Sequence, residues 1–573
     1  MGLRSYSELE GDSRAFKRAA GGLGKASAAL YELGCYEWRA GAVTTKGMQL
    51  RSVGRSGVTF RETRRKPERA CIADAKREFP ELDEYGWPER GAEAERCSLF
   101  FQASRYKRSV CPETIGEATS NLESRYPRTK VTREIRGDIW DQEEVAEKVA
   151  QIARQEVNLK ASPGVPLASL GLTNAQIVDR HLDFLVLAVV ARLELLSSYE
   201  LVDSDLSPNE LVRMGFCDPV RVFVKQEPHP KAKIEQGRFR LISSISLVDQ
   251  LVERILFGPQ NRAEIQLWHK IPSKPGMGLS LETQAHLLWD DLVFKHNQSP
   301  AAEADISGFD WSVQWWELVA DLKMRIKLSE AGGKARMAMS SRFYCLGNSV
   351  FQLSNGEMWE QCEPGLMKSG SYCTSSSNSR IRCLMAELIG AKWCVAMGDD
   401  SVEGFVPDAK ARYEELGHVC KDYIPCATNG GELSSVTFCS HHIGKNRVYL
   451  TTWAKTLYRF LSSDHETDED LWMELHTNPN WTRIRNYLCR IGRSSDKRLS
   501  PEQTGCDGPE ERAEENDSCR ESRHETDASA TTDAKWEQPS PQKKEPFGWS
   551  VWSSGGLTAS QLWRTLTEPG PPY

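Results

Sequence analysis

The chain runs to 573 residues, with 73 Lys and Arg against 80 Asp and Glu and a net charge of −7. That length exceeds a single compact core, so a multi-lobed domain or two to three domains are expected, and the negative balance excludes an evenly basic nucleic-acid coat. Any polyanion-binding groups must instead be gathered along a channel.

Hydrophobic content of 39% and charged content of 27% are ordinary for a soluble globular protein. The mean hydropathy of −0.51 traces to one stretch. Residues 499–545 hold 13 acidic and 6 basic side chains, a local net of −7 that leaves the rest of the chain near neutral. The 16 cysteines follow no extracellular framework spacing and no signal-peptide pattern opens the chain, so they read as reduced cytosolic thiols. The apolar run from Leu182 to Leu196 is interrupted by Asp183, Arg192 and Glu194. It is too short and too charged for a membrane span and reads as a buried helix. Two short motifs fail on inspection: Tyr6 stands where myristoylation wants Ser or Thr, and Lys25 is followed by Ala26 rather than a P-loop hydroxyl.

Residues 1–70, rich in Gly, Arg and Lys with weak periodicity, read as a loosely ordered basic leader or an outer layer of the fold. From residue 71 to 498, helical patterns alternate with short strand-like runs, the mark of a mixed α/β or α+β body. Within it, VKQEPHPKAKIEQGRFRLIS interleaves Lys225, Lys231, Lys233, Arg238 and Arg240 with an apolar, strand-like ending. Alternation after Gly237 sets Arg238 and Arg240 on one face. The pair either offers bidentate contacts to a triphosphate or forms a solvated face.

In ADISGFDWS, Asp305 ends a strand-like segment and Asp310 follows five residues later, before a helical stripe of Trp315, Leu318, Val319, Leu322 and Ile326. A carboxylate at a strand end suits a hard divalent cation. Asp310 reads either as a second functional acid or as a helix N-cap. Next, KSGSYCTSSSNSRIRCLMAEL is a glycine-containing loop before a helix with apolar Ile381, Leu384, Met385 and Leu388. Thr374 and Asn378, four apart, share a helix face; they form a capped polar helix start, or Asn378 bonds a ribose hydroxyl beside Asp310.

KWCVAMGDDSVEGFV reads as a strand-turn-strand hairpin with Gly398, Asp399 and Asp400 at its tip. Adjacent acids repel each other, and cations would relieve that repulsion. Cys420, Cys426, Cys439 and His441 lack the close paired spacing of a zinc site. From Leu499 onward the acidic, Pro-containing composition predicts a disordered tail, ending in a Trp patch, GWSVWSS, that is either a partner anchor or merely apolar.

The order basic strand, D-x4-D, SG-x3-T-x3-N, then GDD resembles the motifs F, A, B and C of viral RNA-dependent RNA polymerases. The wording DISGFDWSV, SPGVP at Ser162 to Pro166, and FCSHH from Phe438 is most similar to the sobemovirus and polerovirus enzymes, the solemovirus-type branch. The resemblance covers about residues 71–498.

It implies an α+β right-hand polymerase fold of fingers, palm and thumb, with an antiparallel palm sheet and a helical thumb. The divisions it implies are a leader at 1–70, an N-terminal region and fingers at 71–300, a palm with motifs A to E at 301–450, a thumb at 451–498 and the tail at 499–573. The implied activity is template-directed RNA synthesis from ribonucleoside triphosphates, a nucleotidyl transfer replicating a positive-strand RNA virus genome. Asp305, Asp399 and Asp400 would hold two Mg²⁺ ions, or Mn²⁺ in their place. Asp310, Ser369, Gly370, Thr374 and Asn378 would meet the incoming nucleotide at its ribose, and Lys225, Arg238 and Arg240 its triphosphate. SPGVP, through Ser162, Gly164 and Pro166, would guide the template, and FCS would support the primer end.

The chain departs from picornaviral relatives where His229 replaces an Arg and where ATNGGE lacks a late-motif-D Lys, which leaves Lys421 as the candidate general acid. Implied partners are the RNA template, the nascent strand and a viral genome-linked protein primer, in replication complexes of the host cytoplasm. Two rivals share the pattern: a reverse transcriptase, disfavoured by Asp310 with Asn378, and a catalytically silent RNA-binding scaffold, disfavoured by intact Asp305 and Asp399.

Overall fold

The computed structural model describes residues 21–61, 69–202, 204–279, 282–463 and 468–493. The acidic tail and its Trp patch lie outside the described residues, as does the start of the leader.

A six-stranded sheet takes the order β1 (Glu37–Trp38), β2 (Leu50–Arg55), β9 (Glu357–Gln361), β8 (Val350–Gln352), β4 (Val220–Val224) and β6 (Leu241–Ser244). Its neighbours are antiparallel except β4 and β8. A short pair joins β3 (Tyr85–Gly86) to β5 (His229–Pro230). The sheet that carries the acids runs β10 (Cys394–Met397), β11 (Asp400–Gly404), β7 (Ala301–Ile306) and β12 (Cys420–Pro425), antiparallel throughout. Beyond it lies an antiparallel meander of β13 (Ala427–Asn429), β14 (Glu432–Phe438), β15 (His441–Gly444) and β16 (Arg447–Leu450). Helices cover these sheets rather than alternating with parallel strands, so the architecture is α+β.

Most buried apolar side chains form one large core, shared by the six-stranded sheet and the helices Leu182–Ser198, Leu247–Gln266, Trp315–Leu328, Gly333–Gly347 and Thr374–Ile389. The apolar run at Leu182 is the expected buried helix. Among the described residues, no helix is long and apolar enough to cross a membrane. A second core, with Trp289, Val395, Val402 and Phe438, lies where the helix Glu282–Gln298 meets the acid-bearing sheet and the meander.

Part of the stretch read as a loose leader or an outer layer of the fold is structural: β2 pairs with β9 from Leu50 opposite Gln361 to Arg55 opposite Glu357, and Met48 and Leu50 are fully buried. Arg51, one of the charges that made this stretch look solvated, pairs with the buried Glu360. The C-terminal helices Trp453–Leu461, Glu469–Leu475 and Trp481–Arg490 share a third core with Ile72, Ala75, Phe79 and Leu82 from far upstream. Phe79 meets the rings of Trp453 and Tyr487 edge-on at 6.0 and 5.6 Å. An amphipathic helix group needs an apolar partner to bury its stripe, and here that partner comes from the start of the body.

Candidate active site

Asp305 is the penultimate residue of β7, and its side chain is half exposed. The hairpin predicted around Gly398 is present: Met397 pairs with Asp400, leaving Gly398 and Asp399 as the two-residue turn. Gly398 takes a φ of +65°, a conformation that other residues resist. The register that sets Ser401 beside Ala304 brings Asp400 alongside Asp305. Burial, together with the carboxylates of Asp399 and Asp305, pushes the Asp400 carboxyl up to about 6. On the other side of Asp305, Lys421 of β12 reaches its Oδ2 at 3.4 Å and that of Asp422 at 2.7 Å. These two carboxylates, Asp422 first, hold its ammonium above the ordinary Lys value.

Asp310 does not cap a helix. It lies in the tight turn Phe309–Trp311, and Gln314 caps the following helix in a reciprocal box with Glu317. The Asp310 side chain accepts a 2.7 Å hydrogen bond from Asn378 Nδ2, while Met367 N–H donates to its carbonyl at 2.8 Å. Burial pushes its carboxyl up to about 6 against the opposing pull of Asn378, and Asp399 adds to the rise. Asn378 Oδ1 is buried without a hydrogen-bond partner. Such an acceptor is costly to leave unmade.

The helix Thr374–Ile389 that presents Asn378 is anchored by buried ions. Arg380 bonds Asp321 at 2.6 Å, and Arg325 donates to Ser376 at 2.6 Å and Ser377 at 3.0 Å. Sequence reasoning passed over Arg380 and Arg382, which flank the apolar stripe of this helix on opposite sides and are both buried. Arg382 Nε donates to the carbonyl of Asp399 at 3.2 Å, and Ser379 accepts from Gly398 N–H at 2.8 Å.

The basic stretch faces the acids. Partial desolvation and the nearby cations Arg240, Arg238 and Lys421 hold the Lys233 ammonium below its ordinary value, while Arg240 lowers both Asp310 and Asp400. Arg238 and Arg240 precede β6 rather than lying in it, and they flank the buried Phe239 as alternation requires. Glu227 gathers Lys225 at 3.1 Å, Arg240 at 3.0 Å and Lys455 at 3.1 Å. Burial alone would raise its carboxyl, but the three cations pull it down to about 2. His229 is buried, with Nε2 accepting from Arg240 N–H at 2.9 Å and Nδ1 donating to the Glu227 carbonyl at 2.8 Å. It shapes the loop and has no free nitrogen for a phosphate.

Ser369 Oγ accepts from Ser243 N–H, and Gly370 N–H donates to Ser243 O, each at 3.0 Å. A Cβ on Gly370 would stand 2.5 Å from that carbonyl. Thr374 spends its hydroxyl proton on the backbone carbonyls of Lys368 and Ser371. The loop of Ser162, Gly164 and Pro166 closes against the same strand end, with Leu247 N–H donating to Pro163 O at 2.9 Å and Gly164 close to Ile245 and Ser246. Among the described residues, none of these is hydrogen-bonded to Asp305, Asp399 or Asp400.

Among the described residues, no three His, Cys, Asp or Glu side chains enclose a metal ion unaided. The donor set nevertheless fits one held in the open. Mg²⁺ keeps waters and takes one or two carboxylates plus substrate phosphates, and Asp305, Asp399 and Asp400 gather at one end of the central strands β7 and β11, with Asp305 and Asp399 exposed.

A family model described as viral RNA-directed RNA-polymerase matches residues 71–462. The chain is 54% identical over 482 residues to the Replicase polyprotein P2AB of Cocksfoot mottle virus, covering 83% of this chain and 51% of that protein. Against the Southern bean mosaic virus P2AB it is 56% identical over 473 residues, covering 82% and 49%. It thus spans about half the length of these curated relatives. It is also 37% identical over 335 residues to the RNA-directed RNA polymerase of Mushroom bacilliform virus, covering 56% of this chain and 78% of that one. The match extends across the strands and helices that hold Asp305, Asp310, Asn378 and Asp399, and the chain belongs to the family of viral RNA-directed RNA polymerases.

Proposed function

We propose that the protein copies an RNA template into RNA by two-metal nucleotidyl transfer, in replicating a positive-strand RNA virus. The observation that carries this reading is the placement of Asp305, Asp399 and Asp400 at one end of the central strands β7 and β11, with the Asp310–Asn378 pair beside them. In this reading β10, β11, β7 and β12 are the palm, the six-stranded sheet belongs to the fingers, and the helices from Trp453 to Arg490 are the thumb. Divalent ions, Mg²⁺ foremost, supply activation of the primer 3′-hydroxyl and charge neutralisation at the leaving pyrophosphate.

The chain's own groups do the rest. Asp305, Asp399 and Asp400 offer the carboxylate oxygens. Asn378 offers its unpartnered Oδ1 to the ribose hydroxyl, and Asp310 fixes the orientation of the Asn378 amide. Arg240, Arg238 and Lys225 receive the triphosphate, which competes with Glu227 for Arg240 and Lys225. Lys421, beside Asp305, gives a proton to the leaving pyrophosphate. Ser369, Gly370 and Thr374 hold the loop under the nucleotide, and Ser162, Gly164 and Pro166 border the template. The partners are template and nascent RNA, ribonucleoside triphosphates and a genome-linked protein primer, at replication complexes in the host cytoplasm.

The test is primer extension on a homopolymeric RNA template with Mg²⁺ and either ribo- or deoxyribonucleotides. Template-dependent incorporation of ribonucleotides is expected. Preference for deoxyribonucleotides would make the chain a reverse transcriptase, and binding of RNA without incorporation would make it a scaffold.

A further inference from the structure

We propose that Arg382, assisted by Ser379, is a positioning residue that sets the Asp399 turn for metal binding; this rests on the polymerase reading above. One guanidinium spans both sides of Asp400. Its Nε donates to the carbonyl of Asp399 at 3.2 Å, and its Nη2 donates to Ser401 Oγ and faces Glu403 at 3.6 Å. The residues on either side of Asp400 are therefore tied to one rigid plane. Ser379, one helical turn before Arg382, holds the N–H of Gly398 at 2.8 Å, so both turn residues and Ser401 are braced from the helix Thr374–Ile389.

Arg382 is itself fixed. Its side chain has no exposed area, it lies over the Tyr413 ring at 5.1 Å, and Tyr413 donates to the same Glu403 carboxylate at 2.7 Å. A buried ion pair is a poor source of stability, because desolvation offsets most of its attraction. What this one supplies is geometry. The fork is specific to Arg, since an ammonium donates from one point and cannot reach Asp399 O and Ser401 Oγ together. The same helix presents Asn378 to Asp310. The sugar-facing amide and a brace of the acid-bearing turn are thus mounted on consecutive residues, Asn378 and Ser379.

The experiment compares full-length wild type with Arg382→Lys, Ser379→Ala and the charge-neutral pair Arg382→Met with Glu403→Gln, which avoids stranding a buried charge. Mn²⁺ binding is titrated by electron paramagnetic resonance without nucleotide, alongside thermal melting and primer extension across a Mg²⁺ series. Arg382→Lys, still folded, should bind Mn²⁺ about tenfold more weakly and need correspondingly more Mg²⁺ for half-maximal rate, as is usual when a group orienting metal ligands is lost. Its KM for nucleotide at saturating Mg²⁺ should hold. The neutral double variant should melt near wild type yet share the metal defect. Wild-type Mn²⁺ affinity in either folded variant overturns the proposal, as does a defect confined to melting temperature. A wild type that binds Mn²⁺ but incorporates nothing overturns the polymerase reading alone, and the Mn²⁺ titrations still decide Arg382.

Discussion

Asn378 donates to Asp310 across 2.7 Å and keeps its own Oδ1 buried and unpartnered, so one bond joins the turn after β7 to the helix Thr374–Ile389 while the amide's acceptor is left unmade. A site built to bond a hydroxyl discriminates strongly against its absence. Asn378→Ala should therefore lower the ratio of kcat/KM for GTP over dGTP about tenfold, on the order of 1.4 kcal/mol. Asp310→Asn, which can turn a donor toward Asn378, should lower it in the same direction. An unchanged ratio in both stable variants would remove the ribose-sensing role.

Asp399 is exposed at a hairpin tip and contributes nothing to a core. Asp399→Ala should leave melting temperature and RNA binding near wild type. Its extension rate should fall below about a tenth of wild type, a barrier increase of at least about 1.4 kcal/mol. A folded variant that retains more disproves the ligand role.

Two carboxyls, of Asp310 and Asp400, are pushed up to about 6. Between about pH 4 and 6 the folded chain holds protons that the unfolded chain has released, so their contribution to metal-free stability is complete below the unfolded value and lost as pH rises through 6. Buried neutral groups such as His229, held below the ordinary His value, slope the other way. The comparison must therefore be differential. Lowering the pH from 7 to 5 should raise the melting temperature of metal-free wild type relative to Asp310→Asn. A constant difference between the two would show that Asp310 ionises normally.

Arg240 is largely exposed and shared with Glu227. Its exchange for Ala removes little folding energy, yet it should raise the nucleotide KM about tenfold, the loss of one charge-assisted phosphate contact. Template affinity, measured by fluorescence anisotropy, should change less. The reverse pattern would place this residue in the template channel.

Phe79 is fully buried between Trp453 and Tyr487. Phe79→Ala should cost about 3 to 5 kcal/mol by opening a cavity. Limited proteolysis should then cut first within residues 453–490. Cleavage first in the acid-bearing sheet would refute the shared core.

Local pattern was enough to locate the β10–β11 hairpin, the strand ending near Asp305, the helix after Trp315 and the helix after Thr374, because each is written in a period of two or 3.6 and punctuated by glycine. The order of acids and amides along the chain is likewise a property of the sequence. Tertiary structure alone decided the rest. By itself Asp310 reads as a helix N-cap, and the structure gives that place to Gln314. His229, Arg51 and Arg382 carry no local mark of their partners, Arg240 N–H, Glu360 and Asp399 O, the last two pairs being assembled by strand register or helix packing. The pairing of Leu50 with Gln361, and the burial of Phe79 against Tyr487, join segments hundreds of residues apart. Periodicity reports which face of an element is apolar, but not which distant face covers it, and burial, hydrogen bonding and charge pairing are all settled by that second surface.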